Sequence, residues 1–82
     1  MLYNSLHILV GKHMGKLLDK YFEHGDQTII AKMSGISESN LWSWRNEKKT
    51  PKLSSVKWVL VAMSKFYGIR EENLWIELST YV

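Results

Sequence analysis

Gln27-Thr-Ile-Ile-Ala-Lys-Met-Ser-Gly-Ile-Ser-Glu-Ser-Asn-Leu-Trp-Ser-Trp-Arg-Asn46 is the stretch around which the chain is organised. It predicts two short helices joined by a tight turn. Ile29, Ile30, Ala31 and Met33 supply an apolar face on the first, and Leu41 and Trp44 supply one on the second. Ser34-Gly35-Ile36-Ser37 lies between them. Gly35 can take the positive φ that a sharp helix-to-helix turn demands, and the Ser37 hydroxyl can cap the second helix. Ala31 is small enough to sit where two steeply crossing helices come closest. A small residue, a glycine turn and a capped second helix together make a helix-turn-helix arrangement over residues 27–46.

The spacing of Gln27, Ala31, Gly35 and Leu41 resembles the helix-turn-helix of the phage Cro and lambda-repressor family of XRE-type regulators. The resemblance continues through Trp44, Asn46, Lys48 and Pro51 and returns at Gly68-Ile69 and Leu74, covering about residues 26 to 74. It implies an all-α bundle of about five helices and a double-stranded DNA operator as partner. It also implies a homodimer and a cytoplasmic, nucleoid-associated location in a bacterial host, as for a phage or mobile-element repressor.

Bulk properties agree with one small domain. Eighty-two residues build a single modest core, and a 45% apolar composition with four Trp is not that of a disordered tail. Cysteine is absent, so neither a disulfide framework nor a thiolate metal site is expected. No apolar run approaches the roughly 20 residues of a membrane span. Residues 1–10 lack the basic region and cleavage site of a signal peptide, so an intracellular protein is expected. The net charge of +3 is unevenly placed. Residues 1–26 balance Lys12, Lys16 and Lys20 against Asp19, Glu23 and Asp26, and residues 54–82 balance Lys57, Lys65 and Arg70 against Glu71, Glu72 and Glu77. The excess falls on residues 27–53, where Lys32, Arg45, Lys48, Lys49 and Lys52 face only Glu38 and Glu47. A basic excess on and beside the reading element is the electrostatic footprint that DNA requires.

Leu6, Leu9, Val10, Met14, Leu17, Leu18, Tyr21 and Phe22 recur at helical steps, with Gly25 as a stop. A helix is expected from about Gly11 to Glu23, weakened at Gly11 and Gly15 by about 1 kcal/mol each relative to Ala. Residues 2–10 fit a helix or, through alternating Leu2, Leu6, Ile8 and Val10, a strand. The tail 75–82 fits the end of a last helix beginning at Glu71-Glu72, or a strand. As strands these termini would serve dimerisation. His7, His13 and His24 lack metal-ligand spacing.

Asp26 is placed to cap the first motif helix, with Gln27 as its first residue. The resemblance implies that Gln27 and the helix N-terminus grip a phosphate, as free amides and the helix dipole favour. The recognition helix is expected over residues 38–46, with Leu41, Trp44 and Ile36 inward. That leaves Ser37, Glu38, Ser39, Trp42 and Ser43 for base contacts in the major groove. Glu38 can accept from cytosine N4 or serve only the helix dipole. Trp42 stands where the family often has a small polar residue; a thymine methyl, the sugar-phosphate wall and a protein interface are all open to it. After the helix, Asn46, Lys48, Lys49 and Lys52 are candidates for phosphate contacts. Family members usually carry Gly at the position of Glu47. Pro51 blocks helix continuation and leaves Ser54 or Ser55 to cap the next helix, about Ser55 to Tyr67, ending at Gly68. Its inward stripe is Val56, Val59, Leu60, Met63 and Tyr67. Trp58, Val61, Ala62 and Phe66 make the opposite side too apolar to be purely solvated, so a second partner is expected there, either the N-terminal helix or another subunit.

No phosphate-cradling glycine loop, metal-ligand cluster or nucleophile–base arrangement is present, so no catalytic residue, metal, cofactor or small-molecule ligand is expected. Two readings stand: a sequence-specific DNA-binding transcriptional regulator, and a protein-interaction module (antirepressor, antitoxin or adaptor) on the same fold.

Overall fold

A computed structural model describes residues 2–81, and the side chains of residues 11–81. Five helices follow one another: α1 (Leu2–Tyr21), α2 (Asp26–Ser34), α3 (Glu38–Arg45), α4 (Leu53–Tyr67) and α5 (Glu71–Thr80). There is no strand among the described residues, and both alternatives left open for the termini resolve as helix. Residues 2–10 extend α1 backwards, and 75–80 complete α5. Met1, Val82 and the His7 side chain lie outside what is described. No described helix is long and apolar enough to cross a membrane.

The core forms where the apolar stripes converge. Met14, Leu17 and Leu18 of α1, Ile30 of α2, Leu41 of α3, Val56, Val59, Leu60 and Met63 of α4, and Leu74 and Leu78 of α5 are fully buried. α1 packs against α3, α4 and α5, while α4 packs against α1, α2 and α5. These neighbours bury Ala62 and half-bury Val61 but leave Trp58 and Phe66 exposed, so the N-terminal helix does not cover that side of α4 as one alternative expected. One expected face is corrected: of the four apolar residues on α2, only Ile30 is buried, and Ile29 and Met33 lie at the surface. With only the Ile30 ridge against the core, α2 leaves Ile29 and Met33, about 100° and 60° round on the same side, outside it.

The glycines of α1, expected to weaken it, have a tertiary role. A Cβ at Gly15 would fall inside contact distance of the Trp44 carbonyl oxygen and 3.2 Å from Arg45 Cα. One at Gly11 would lie 2.7 Å from the Pro51 carbonyl oxygen and from the Thr50 methyl. Hydrogen there lets the end of α3 and the following loop rest directly on the α1 backbone.

Helix ends follow local chemistry with small departures from expectation. α1 stops at Tyr21, and Gly25, at φ 89°, starts α2 rather than ending α1. Asp26 is the first residue of α2 instead of its cap; its carboxylate accepts from the Glu23 amide at 3.0 Å and the Tyr67 hydroxyl at 2.9 Å. α4 begins at Leu53, before either candidate serine cap. Gly68, at φ 70°, closes α4 as expected. At the far end of the bundle, Glu77 accepts from Tyr21 at 2.5 Å and pairs with Lys20, joining α5 to α1. Burial opposes the Glu77 carboxylate, but bonds from Lys20 and Tyr21 outweigh it and hold its pKa below the ordinary value.

Gly15→Ala tests the backbone contact. Helix propensity alone favours Ala by about 1 kcal/mol, whereas the collision imposes an overpacking cost of roughly 1–3 kcal/mol. Thermal unfolding should show net destabilisation; a Tm at or above that of the parent would mean that α3 does not rest on α1 there.

Candidate nucleic-acid interface

The turn between α2 and α3 is built as its residues dictate. Gly35 adopts φ 75° and donates its amide to the Ala31 carbonyl at 3.0 Å. Ser37 accepts from the Asn40 amide at 3.2 Å and caps α3. Leu41 and Trp44 then turn inward, with Ile36 half-buried against the core. The outer face of α3 carries Glu38, Ser39 and Trp42, all exposed, with Ser37 at its start. Ser43 is only half-buried, at the edge of that face, and its carbonyl accepts from the Lys48 amide at 2.8 Å.

Several of these side chains are already engaged. Thr28 donates to the Glu38 carboxylate at 2.8 Å, and Gln27 Nε2 reaches the Glu38 carbonyl at 3.5 Å. Arg45 donates to Gln27 Oε1 at 3.0 Å and to Asp19 at 2.7 Å, with its guanidinium 5.5 Å from the Phe22 ring centroid. The chain Asp19–Arg45–Gln27–Glu38–Thr28 therefore ties α1, α2 and α3 together beside the outer face of α3. Asn46 caps the end of α3, donating one Nδ2 hydrogen to the Trp42 carbonyl at 2.9 Å, a bond that does not use the second Nδ2 hydrogen.

Arg45 and Lys12 change the charge map. Arg45 belonged to the basic excess of residues 27–53, but Asp19 neutralises it. Nothing local in the sequence signals a pair 26 residues apart. Lys12, assigned above to a neutral segment, lies with Lys49, Trp44, Glu47 and Thr50 around an open cleft of about 320 Å³ between α1 and the loop. Lys48, Lys49 and Lys52 are exposed, and none makes an ion pair among the described residues. An exposed basic strip thus runs along the loop and onto α1, next to the outer face of α3. Among the described residues no cluster of three or more His, Cys, Asp or Glu could hold a metal ion. Comparison with protein-family models, curated proteins and solved structures finds no match for this chain.

Glu47 takes φ 57° and is the only non-glycine residue with positive φ among those described. The loop keeps its geometry at the cost of a left-handed residue. Glu47→Gly should raise stability by about 1 kcal/mol, roughly 4–8 °C in Tm for a domain of this size. An unchanged or lower Tm would show that the loop does not hold this conformation in solution.

Proposed function

We propose that this protein is a sequence-specific double-stranded DNA-binding regulator of the Cro and lambda-repressor type, acting as a homodimer on a two-fold operator. The observation that carries the reading is a capped α3 whose outer face, Glu38, Ser39 and Trp42, is exposed beside a strip of lysines that make no ion pair among the described residues. A helix admitted to the major groove needs such a face, and the flanking cations set its register on the phosphates. In this role Glu38, Ser39, Trp42 and Ser43 contact base edges or the groove wall, with Ser37 at the helix start. Lys48, Lys49 and Lys52 neutralise phosphates, joined by Lys12 from α1. Gln27 and Asn46 contact the phosphate backbone through the amide hydrogen that their internal bonds do not use. Dimer half-sites would lie about one helical turn, roughly 34 Å, apart. Action on the host nucleoid in the cytoplasm belongs to the same proposal.

Selection of bound sites from a random duplex library at two salt concentrations tests the reading. A two-fold motif supports a dimeric reader, and retention of no duplex even at low salt rejects DNA binding in favour of a protein module. Given an operator, Lys48→Ala and Lys49→Ala should each weaken all duplexes similarly and flatten the salt slope by about one unit. A sequence-dependent loss would overturn their assignment to the backbone. Ser39→Ala or Ser43→Ala should alter preference at one base pair per half-site by ~1–3 kcal/mol, read by competition binding. Unchanged preference in both would mean that this face does not read bases.

A further inference from the structure

Four of the six large apolar side chains exposed among the described residues fall on two neighbouring helices: Ile29 (40% exposed) and Met33 (44%) on α2, and Trp58 (58%) and Phe66 (38%) on α4. The two helices pack together and run in opposite directions, since Tyr67 at the end of α4 bonds Asp26 at the start of α2. Gln27 and Thr28 turn toward α3, so Ile29 and Met33, on the other flank of buried Ile30, border α4. On α4, Lys57 turns toward Glu71 of α5. Trp58, Ala62 and Phe66 follow each other at four-residue steps on the opposite flank, and Ala62 is buried at the junction. The four side chains therefore flank the α2–α4 seam. A contiguous apolar face, unlike scattered exposed residues, marks an interaction surface.

The charges around this face choose the occupant. Lys32 lies one turn from Ile29 on α2, and Lys65 adjoins Phe66 on α4, two turns along from Trp58; both are exposed, and neither is ion-paired among the described residues. α4 contains no acidic residue, and the single Asp of α2, Asp26, is committed to Tyr67 and the Glu23 amide. A second copy laid on this face would bring lysines toward lysines, which disfavours self-pairing. We propose that the α2–α4 seam docks an amphipathic helix of another protein, its apolar side on Ile29, Met33, Trp58 and Phe66 and its flanks acidic. Helix-in-groove recognition supplies the apolar anchors, and Lys32 and Lys65 select carboxylates at the rim. This surface is separate from α3, and its occupation does not depend on the DNA-binding reading.

The test uses the isotope-labelled full chain without DNA and two synthetic stapled helices about as long as α4, identical in their leucine face, one flanked by Glu and one by Lys. Titration with the Glu helix should move the amide signals of Ile29, Met33 and Phe66 and the Trp58 indole signal, with micromolar affinity that falls as salt rises. The Lys helix should bind about tenfold more weakly or worse. Trp58→Ser should abolish most of the binding. The Lys32→Glu, Lys65→Glu double variant, which leaves the apolar face intact, should reverse the preference in favour of the Lys helix. No binding, equal binding of both helices, or shifts confined to α3 would overturn the proposal. So would a dimer in sedimentation that Trp58→Ser dissolves, since a second copy would then be the occupant. Partition onto phosphatidylglycerol vesicles with no response to the Glu helix would overturn it in favour of a lipid surface.

Discussion

The contact on which the rest of the bundle depends is the meeting of the α1 backbone at Gly15 with the carbonyl of Trp44. A helix normally keeps its neighbours 8–10 Å away because side chains stand between the axes. Here a hydrogen replaces one of them, and the last turn of α3 settles on α1. Gly11, one turn earlier, lets the loop at Thr50 and Pro51 do the same. Two close approaches in succession fix the line along which the chain leaves α3. They also bring Lys12 to the same cleft as Lys49, and they leave Glu47 to absorb the tight reversal in a left-handed conformation. The geometry of the basic strip is thus set by backbone sterics on α1, not by the lysines themselves.

Polar bonds then orient what sterics have placed. The chain Asp19–Arg45–Gln27–Glu38–Thr28 lies mostly at the surface, where each ion pair contributes little stability. Its effect is positional. Arg45 holds Gln27 by its oxygen at 3.0 Å, while the Gln27 nitrogen reaches the Glu38 carbonyl only at 3.5 Å, the long limit of a hydrogen bond. On the proposed reading, Gln27 can therefore offer a phosphate its second amide hydrogen while Arg45 keeps its orientation, with at most its weakest bond given up. Asn46 is held more firmly: one of its amide hydrogens bonds the Trp42 carbonyl at 2.9 Å, which fixes the direction of the other. Thr28 occupies one Glu38 oxygen, which restrains the carboxylate as an acceptor and suits it to a cytosine amine better than a mobile glutamate would.

How much of this could be read in advance divides along local and non-local physics. Gly35, Ser37 and Gly68 act within a few residues of themselves, and the turn, the cap and the end of α4 stand where the sequence implied. The stripe from Val56 to Met63 is buried because helical periodicity is also local. Gly11 and Gly15 read as weak points because propensity is local and the close approach is not. Ile29 and Met33 read as core because apolar spacing identifies a stripe but not its width against a particular neighbour. At the site, exposure of Ser39, Trp42 and the loop lysines was legible from the phase of α3 and the composition of the loop. The pairing of Arg45 with Asp19 and the approach of Lys12 were not, since each needs the packing of α1 on α3.

Helix α2 carries the last consequence of that packing. Its Gln27–Thr28 flank is bonded to α3, its Ile30 ridge is buried, and its Ile29–Met33 flank opens beside α4. Since the α3 backbone does not pack along α4, a ligand on the outer face of α3 and one in the α2–α4 seam would meet different sides of α2. Neither needs to displace the other. Burying Trp58 and Phe66 within the chain would require widening α2 or α5 over them, which would cover the flank that borders the seam. The fold instead keeps α2 narrow, with one polar side and one apolar side. A small domain with a single core can present two chemically distinct surfaces only by leaving one stripe of a thin helix unclaimed by that core.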